Sequence, residues 1–528
     1  MCILSTSTTV VNCKFSTKNR IFKPELRQKK LNLISSTIPF KLKNLLLHNF
    51  AVRQELMDTN TDLLQYIFNQ ISKKVSSTVE GHTSLRKNLT PEDLKESLDF
   101  KIPYQSISDN EILNIIKTLM DQSVNTNHPY FMNQMFGKTQ PIAYLADVLI
   151  TLLNTSMYTY EVAPVLTLIE NETIDFLSKK VWGRSGDGVF TSGGSMSNMK
   201  AMFLAREYKF KDSRTLGLNA YPPVTIFVSD QAHYSFVKGA NFLGFGTDAL
   251  IKIPSDVNAK IRIDALEDII EKTIADGRIP IMLTGIAGTT TSGSFDDLEA
   301  LASIAKKYNM WYHVDACFGG ASLFSDLEKH RLKGIEHANS VSWNFHKVMS
   351  MPLSTASFLT RDKGLLKEAF TVNADYLFHD HDNTYDLGQK SLQGGRRPEV
   401  LKLWLSLKYK GEAGFKAHVE SLRQKAVYFS SVIENNPHME LFQTPESVIV
   451  CFRYKADSLD DKDTDDLNIK IREEIFKKGD IIFNYAYLNN KVYLRVVLLD
   501  PDFTKAQLDH ILETIETCAK SILMVADS

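Results

Sequence analysis

From residue 162 onward the chain alternates amphipathic stretches with short apolar runs rich in β-branched residues, at 224–228, 249–253, 280–286, 311–314 and 340–343. Apolar runs this short, separated by helical periodicity, predict buried strands of an α/β domain with a mostly parallel sheet. One helix is clear at 295–308. Asp296 and Asp297 fall in its first turn, Lys306 and Lys307 in its last, and Leu298, Leu301, Ile304 and Ala305 on one face. Ahead of this region, Leu63, Leu64, Ile67, Ile71 and Val75 recur at helical spacing over 59–78, and 110–119 repeats the pattern, which predicts a helical arm. Beyond Leu407 the rhythm changes. Strands are expected at 448–454 and 491–498, helices at 465–478 and 504–522, and a hairpin turn at Asn489-Asn490, two residues that tolerate left-handed backbone. The resulting division is a basic extension at 1–52, a helical arm at 53–161, a large α/β domain at 162–407 and a small α+β domain at 408–528.

Composition narrows the function. Hydrophobic residues make up 43% and charged residues 23% of 528, enough apolar material for a large core. Lys and Arg number 61 against 62 for Asp and Glu, so the net charge of −1 gives no electrostatic case for nucleic acid or a membrane surface as partner. The default is a small-molecule substrate. No apolar run approaches the length of a membrane span. Five scattered cysteines, Cys2, Cys13, Cys317, Cys451 and Cys518, lack the pairing of a zinc site or disulfide framework and fit a reducing cytoplasm. No metal site is expected. Residues 1–23 carry Lys14, Lys18, Arg20 and Lys23 with no acidic residue, and read as an unstructured basic tail rather than a transit peptide.

Chemistry enters with Lys347, which closes the run Ser342-Trp343-Asn344-Phe345-His346-Lys347 just past an apolar strand, where α/β sheets build their sites. A lone lysine more often solvates a surface. However, 32 residues earlier Trp311-Tyr312-His313-Val314-Asp315-Ala316-Cys317 ends another strand on a carboxylate. Lysine and carboxylate together are what pyridoxal phosphate (PLP) requires: an amine to condense with its aldehyde, and an aspartate that keeps the pyridine nitrogen protonated so the ring can withdraw electrons. Upstream, Thr191-Ser192-Gly193-Gly194-Ser195-Met196-Ser197-Asn198 leads from a strand at 188–190 into a helix at 199–209, and backbone N–H groups at such a helix start cradle a phosphate. His233, in Asp230-Gln231-Ala232-His233-Tyr234-Ser235, lies just beyond the strand at 224–228. Each piece alone is commonplace. Their order through one alternating region is not.

These residues resemble the group II PLP-dependent decarboxylases, which include glutamate, cysteine sulfinate and animal-type aspartate 1-decarboxylases. The pattern is also similar to that of bacterial PLP-dependent aspartate 1-decarboxylases. The resemblance runs from about His128 to the C-terminus. Its most specific stretches are His128-Pro129-Tyr130-Phe131-Met132-Asn133-Gln134, Asn154-Thr155-Ser156-Met157-Tyr158-Thr159-Tyr160-Glu161, His313-Val314-Asp315-Ala316, Asn344-Phe345-His346-Lys347 and Gly394-Gly395-Arg396. It implies the fold type I of PLP-dependent transferases, aspartate aminotransferase-like, and a homodimer with active sites at the subunit interface. It further implies that Lys347 holds the cofactor, Asp315 pairs with the ring nitrogen and His233 stacks on the ring. Thr290 would lie beside the cofactor, while Ser195, Met196, Ser197, Asn344 and His346 would line the phosphate. Arg495 and Gln134 would meet the substrate, and Tyr376 would match the tyrosine that returns a proton to Cα. The chain departs from the family at Phe345, where proline is usual, and is a few residues shorter between Tyr376 and Gly394 than glutamate decarboxylases.

The resemblance also bears on substrate. Phe136 and Ser195 match the cysteine sulfinate and aspartate decarboxylase pattern, where glutamate decarboxylases more often have a small polar residue and alanine; Ser156 stands where they often carry a second asparagine. A bulky phenylalanine shortens a pocket, and a serine hydroxyl can hold a closer acidic group. The expected reaction is α-decarboxylation of a small acidic amino acid, L-aspartate to β-alanine or cysteine sulfinate to hypotaurine, with glutamate to γ-aminobutyrate as the alternative. A PLP aminotransferase would share the fold and the Asp/Lys pair. A non-catalytic paralogue would be expected to lose Lys347 or Asp315, and both are present.

Overall fold

The structure, a computed structural model, describes residues 65, 66, 69, 85–372 and 385–526. Contacts divide the chain into Met1–Ser76 and Ser77–Ser528, and the elements below belong to the second. The expected basic extension and Tyr376 lie outside the described residues, as does the predicted helix at 59–78 apart from the helical residues Gln65, Tyr66 and Asn69. Helices α1 (Pro91–Ser97) and α2 (Asp109–Gln122) each start on a capping box, Thr90 with Asp93 and Ser108 with Glu111, which satisfies N–H groups the helix cannot. Helices α3 (Pro141–Leu153) and α4 (Pro164–Trp182) start instead on proline, whose missing N–H costs nothing in a first turn.

The large sheet is built from β1 (Asp187–Thr191), β2 (Val224–Ser229), β3 (Leu250–Ile253), β4 (Ile279–Ile286), β5 (Trp311–Asp315), β6 (Ser340–Asn344) and β7 (Ala356–Thr360), in the spatial order β1-β7-β6-β5-β4-β2-β3. All five strands expected from the apolar runs are present, and the pairs β2/β3, β2/β4, β4/β5 and β5/β6 are parallel. Strand β7, which the rhythm did not announce, slots antiparallel between β1 and β6. Strands β1, β2, β5, β6 and β7 are buried along their whole length, and for β2, β5 and β6 this is why the sequence shows apolar runs rather than strict alternation. Helix α5 (Gly194–Lys209) packs across β4 to β7, with α6 (Ser235–Phe242), α7 (Ile263–Ala275) and α8 (Leu298–Lys307) along the parallel strands. Helix α8 begins later than its charge pattern predicted. Asp297 is its N-cap, accepting from Ala300 N at 3.1 Å, while Asp296 is buried and accepts from Ile261 N and Ile286 N, both at 2.8 Å.

After the short α9 (Leu365–Phe370), helix α10 (Val400–Glu434) leads to the small sheet. Position 407 falls inside α10, just before Gly411, whose φ of 65° interrupts the helix. Strands β8 (Met439–Leu441), β9 (Ile449–Tyr454), β10 (Asn484–Leu488) and β11 (Lys491–Val497) form an antiparallel sheet in the order β10-β11-β9-β8, with α11 (Asp461–Lys478) and α12 (Lys505–Ala526). The hairpin falls at Asn489 and Asn490, with φ of 50° and 61°, the left-handed pair a tight two-residue turn needs. A separate core, including Phe429, Phe452, Ile471, Leu494 and Ile515, closes this part. Among the described residues no helix is long and apolar enough to cross a membrane, and no cluster of side chains could hold a metal ion.

Candidate active site

The parallel strands of the large sheet end on one edge, and a cavity of about 690 Å³ opens there. Eleven residues expected from the sequence line it: Lys347, Asp315, His233, Thr290, Ser195, Met196, Asn344, His346, Arg495, Gln134 and Phe136. Two are not brought together with them. Ser197 is fully buried, and its hydroxyl meets Thr191 Oγ1 at 2.8 Å and Ser357 O at 3.3 Å beneath the turn. Ser156 donates to Gly394 O and accepts from Arg396 N, both at 3.3 Å, away from the cavity lining. Tyr376 is outside the described residues.

At the end of β5, Asp315 Oδ1 accepts from Cys317 N at 3.1 Å and Oδ2 from Asn198 Nδ2 at 2.8 Å. Burial alone would raise this carboxyl; the Lys347 charge, Cys317, His313 and the Asn198 amide outweigh it and hold the group below its ordinary range. It stays an anion. His233 is lowered by burial, with Lys347 and Lys238 acting the same way and Asp315 opposing, so its ring is neutral at pH 7. Its Nδ1 accepts from Ser235 N at 3.2 Å, which leaves Nε2 to carry the proton.

The glycine turn has a steric cause. Gly193 sits at φ 140°, a region that side chains avoid, and a Cβ on Gly194 would lie 2.5 Å from Cys317 Sγ. Only glycine lets α5 begin so close to the ends of β5 and β6. No side chain caps this helix, and Gly194 and Ser195 at its start line the cavity, where uncapped N–H groups suit an anion. Asn344 also lines the cavity, and its buried Oδ1 has no partner, so it can accept from a donor there but not hold the anion. His346 Nδ1 donates to Thr355 O at 2.8 Å, and burial drives the ring to about 4, hence neutral. Phe345, where proline was expected, uses the N–H that proline lacks to donate to Thr355 O at 2.9 Å, and its ring stacks on Phe190. The turn carrying Lys347 is tied down by Ser350 N to Lys347 O, Gln140 Nε2 to Met349 O and His418 Nε2 to Val348 O.

The opposite wall comes from the small domain. Met132 N donates to Ile482 O at 2.8 Å and Ile482 N to Tyr130 O at 3.0 Å, so the His128 to Gln134 segment is stitched beside β10 and carries Gln134 and Phe136 to the cavity. Arg495, on β11, donates through Nε to Thr290 O at 2.9 Å and Thr291 O at 3.1 Å, and through Nη1 to Asn133 O at 3.2 Å. Its Nη2 is buried with no partner. Among the described residues no carboxylate pairs with this guanidinium, and burial lowers it from its ordinary value. Reasoning from sequence alone gave no role to several polar lining residues, among them Asn198, Gln231, Cys317 and Asn484. Only Asn484 had an available signal, since it pairs directly with Arg495 across the hairpin that Asn489-Asn490 predicts.

An aldehyde-condensing lysine, an ionised aspartate and an open helix start around one cavity fit PLP, and with this sheet they define a PLP enzyme of fold type I. The comparisons agree. Residues 91–455 match the family model "Pyridoxal-dependent decarboxylase conserved domain", and the chain belongs to that family. It is 37% identical over 445 residues to cysteine sulfinic acid decarboxylase of Mus musculus, covering 82% of this chain and 90% of that protein. It is 31% identical over 505 residues to the acidic amino acid decarboxylase GADL1 of Xenopus tropicalis, covering 92% and 98%. The crystal structure of mouse CSAD superposes with a TM-score of 0.83 at 35% identity, over 87% of this chain and 98% of that one. The protein is therefore a PLP-dependent amino-acid decarboxylase, and pyridoxal 5′-phosphate is its cofactor.

Proposed function

We propose that the enzyme decarboxylates a short acidic amino acid, aspartate or cysteine sulfinate, and that the unpaired Nη2 of Arg495 carries this assignment. A buried guanidinium bonded only to neutral carbonyls lacks an anion, and a substrate acid supplies one. The acid it holds is the side-chain group. A cation on the α-carboxylate would stabilise the charge that must leave as neutral CO2, raising the barrier, whereas the side-chain acid keeps its charge throughout. The names of the relatives, cysteine sulfinic acid decarboxylase and acidic amino acid decarboxylase, support the same class.

Lys347 would hold the cofactor, Asp315 would face its ring nitrogen, and the N–H groups at the start of α5, with Ser195, Met196, Asn344 and His346, would take its phosphate. When bound, PLP accepts the electron pair left at Cα as CO2 departs. The chain orients: Arg495 and Gln134 fix the side-chain acid, and with Cα held, the α-carboxylate can be presented across the ring face. His233, neutral with a proton on Nε2, is the described residue suited to lie over the ring and return a proton to Cα. Tyr376 remains a second donor proposed from the family likeness.

Phe136 sits on the cavity wall with its ring 5.8 Å from that of Phe131. One methylene is worth about 1–3 kcal/mol in such a pocket. CO2 release from aspartate, cysteine sulfinate and glutamate, assayed separately, should favour the first two, and Phe136→Ala should move the ratio toward glutamate by about tenfold. A native enzyme preferring glutamate would overturn the short-pocket reading and leave the family intact.

The same reading includes a homodimer with sites at the interface. Helix α3 exposes Leu145, Val148, Leu149, Leu152 and Leu153, and Leu353 at the cavity is 52% exposed, more apolar surface in one place than a monomer usually shows. A solution mass of two chains is the expected result. The proposed domain division and a cytoplasmic location belong to this reading too, the latter checked by fractionation.

A further inference from the structure

Behind Asp315 runs a row of buried polar side chains, of which Asn198 alone reaches the cavity lining. Asn198 Nδ2 is 2.8 Å from Asp315 Oδ2, and Asn198 Oδ1 receives Ser342 Oγ at 2.8 Å and faces His313 Nε2 at 3.2 Å. His313 Nδ1 lies 2.9 Å from Ser340 Oγ, which accepts from Trp311 Nε1 at 2.8 Å. His313, Ser340 and Ser342 are fully buried, and Asn198 and Trp311 nearly so.

The proton positions follow from one constraint. An ionised carboxylate only accepts, so the atom of Asn198 facing it must be the amide nitrogen, and the amide cannot be flipped. Oδ1 therefore points at His313, and a hydrogen on Nε2 is the arrangement that bonds it, with Ser342 Oγ, 3.2 Å from Nε2, on the same side of the ring. Full burial with no carboxylate in direct contact keeps the ring neutral, which leaves Nδ1 as acceptor for the Ser340 hydroxyl; that hydroxyl's oxygen takes the indole N–H. Every bond then donates in one direction: Trp311 to Ser340, Ser340 to His313, His313 to Asn198, Asn198 to Asp315. In this arrangement Ser340 O, 3.1 Å from Nδ1, receives no proton; the opposite tautomer, with the hydrogen on Nδ1, would place one there and break the relay.

We propose that Asn198 and His313 are positioning residues in a one-way hydrogen-bond relay that holds Asp315 ionised and fixes the lone pair it presents to the cavity. In a low-dielectric site, bonds in series polarise one another, so the last donor is stronger than an isolated amide. The relay matters because a protonated Asp315 could not keep the cofactor ring charged, and to that extent it rests on the role proposed for Asp315. The other titratable groups around Asp315 are Lys347, His233 and the Cys317 thiol. None lies in the relay.

The test uses the full-length chain without cofactor, with 13C-labelled aspartate carboxyls and 15N-labelled histidine rings. In the native protein His313 is expected as the neutral Nε2–H form at pH 7. Asn198→Leu should raise the Asp315 titration midpoint by about one unit or more, tenfold in protonation. His313→Leu should raise it less, because Ser342 still holds the amide, and His313→Gln, whose side chain can present an N–H, should restore much of the difference. Packing damage alone would lower thermal stability in both His313 variants without separating their midpoints. An Nδ1–H or doubly protonated His313 in the native protein, or an unmoved Asp315 midpoint in Asn198→Leu, would overturn the relay. Asp315→Asn that keeps normal CO2 release would sink the role of Asp315 instead, and the ring and carboxyl signals, read without cofactor, would still stand.

Discussion

Lys347→Ala is expected to abolish covalent retention of PLP and to lower CO2 release by on the order of 10³-fold or more, with the fold intact. The local structure makes this a clean change. Every hydrogen bond that shapes the turn comes from backbone or from other residues: Ser350 N and Met351 N close it, Gln140 bonds Met349 O, and His418 bonds Val348 O. His418 is itself neutral, driven to about 4 by burial, so its tie does not depend on pH near 7. Removing the amine therefore leaves the scaffold while deleting the group that condenses with the aldehyde. Lys347→Arg separates two functions of the amine. The guanidinium keeps a cation beside Asp315, one of the groups that holds this carboxyl low, but cannot condense. It should bind PLP reversibly and remain nearly inactive. The readouts are absorbance of PLP after gel filtration, CO2 release, and the thermal midpoint. A Lys347→Ala enzyme within about tenfold of native activity would overturn the assignment of this lysine.

The strands were legible because parallel strands buried on both faces leave unbroken apolar runs, and the sheet's edge follows once those runs are ordered. Strand β10 was not. Tyr487 on it is 63% exposed and only Ala486 and Leu488 are buried, so no run stands out. Asp315, Lys347 and His233 could be found from sequence since each follows a strand end directly. The turn at Ser195 to Asn198 shows where that logic stops. Successive helical residues point about 100° apart, so Ser195, Met196 and Asn198 reach the cavity while Ser197 turns under it toward β1 and β7. Which of four neighbours faces a ligand depends on the angle at which α5 leaves the turn, and that angle is set by the contact of Gly194 with Cys317, far away in the chain. Asn198 has the same origin: its importance lies in meeting Asp315 and His313 on β5 and Ser342 on β6, two strands far from it in the chain.

Arg495→Met should lower kcat/KM for the acidic substrate by about 3–4 kcal/mol, on the order of 10²- to 10³-fold, mostly through KM. Methionine fills similar space without charge, so the loss reports recognition and not a void. The native guanidinium is anchored at three points on carbonyls of Thr290, Thr291 and Asn133, which aims Nη2 with little freedom and spares the entropy of ordering a long side chain on binding. Those carbonyls will lose a partner in the variant, which adds a stability cost. A thermal midpoint measured alongside, with and without PLP, separates that cost from recognition. The sharper measurement compares substrates. If Arg495 holds the side-chain acid, the variant loses discrimination between aspartate and alanine, because both then meet an apolar wall. If it held the α-carboxylate, both substrates would suffer alike and their ratio would stay as in the native enzyme. A ratio unchanged within about threefold would therefore reject the side-chain assignment, and with it the argument that the cation is placed where charge persists through the reaction rather than where it is lost.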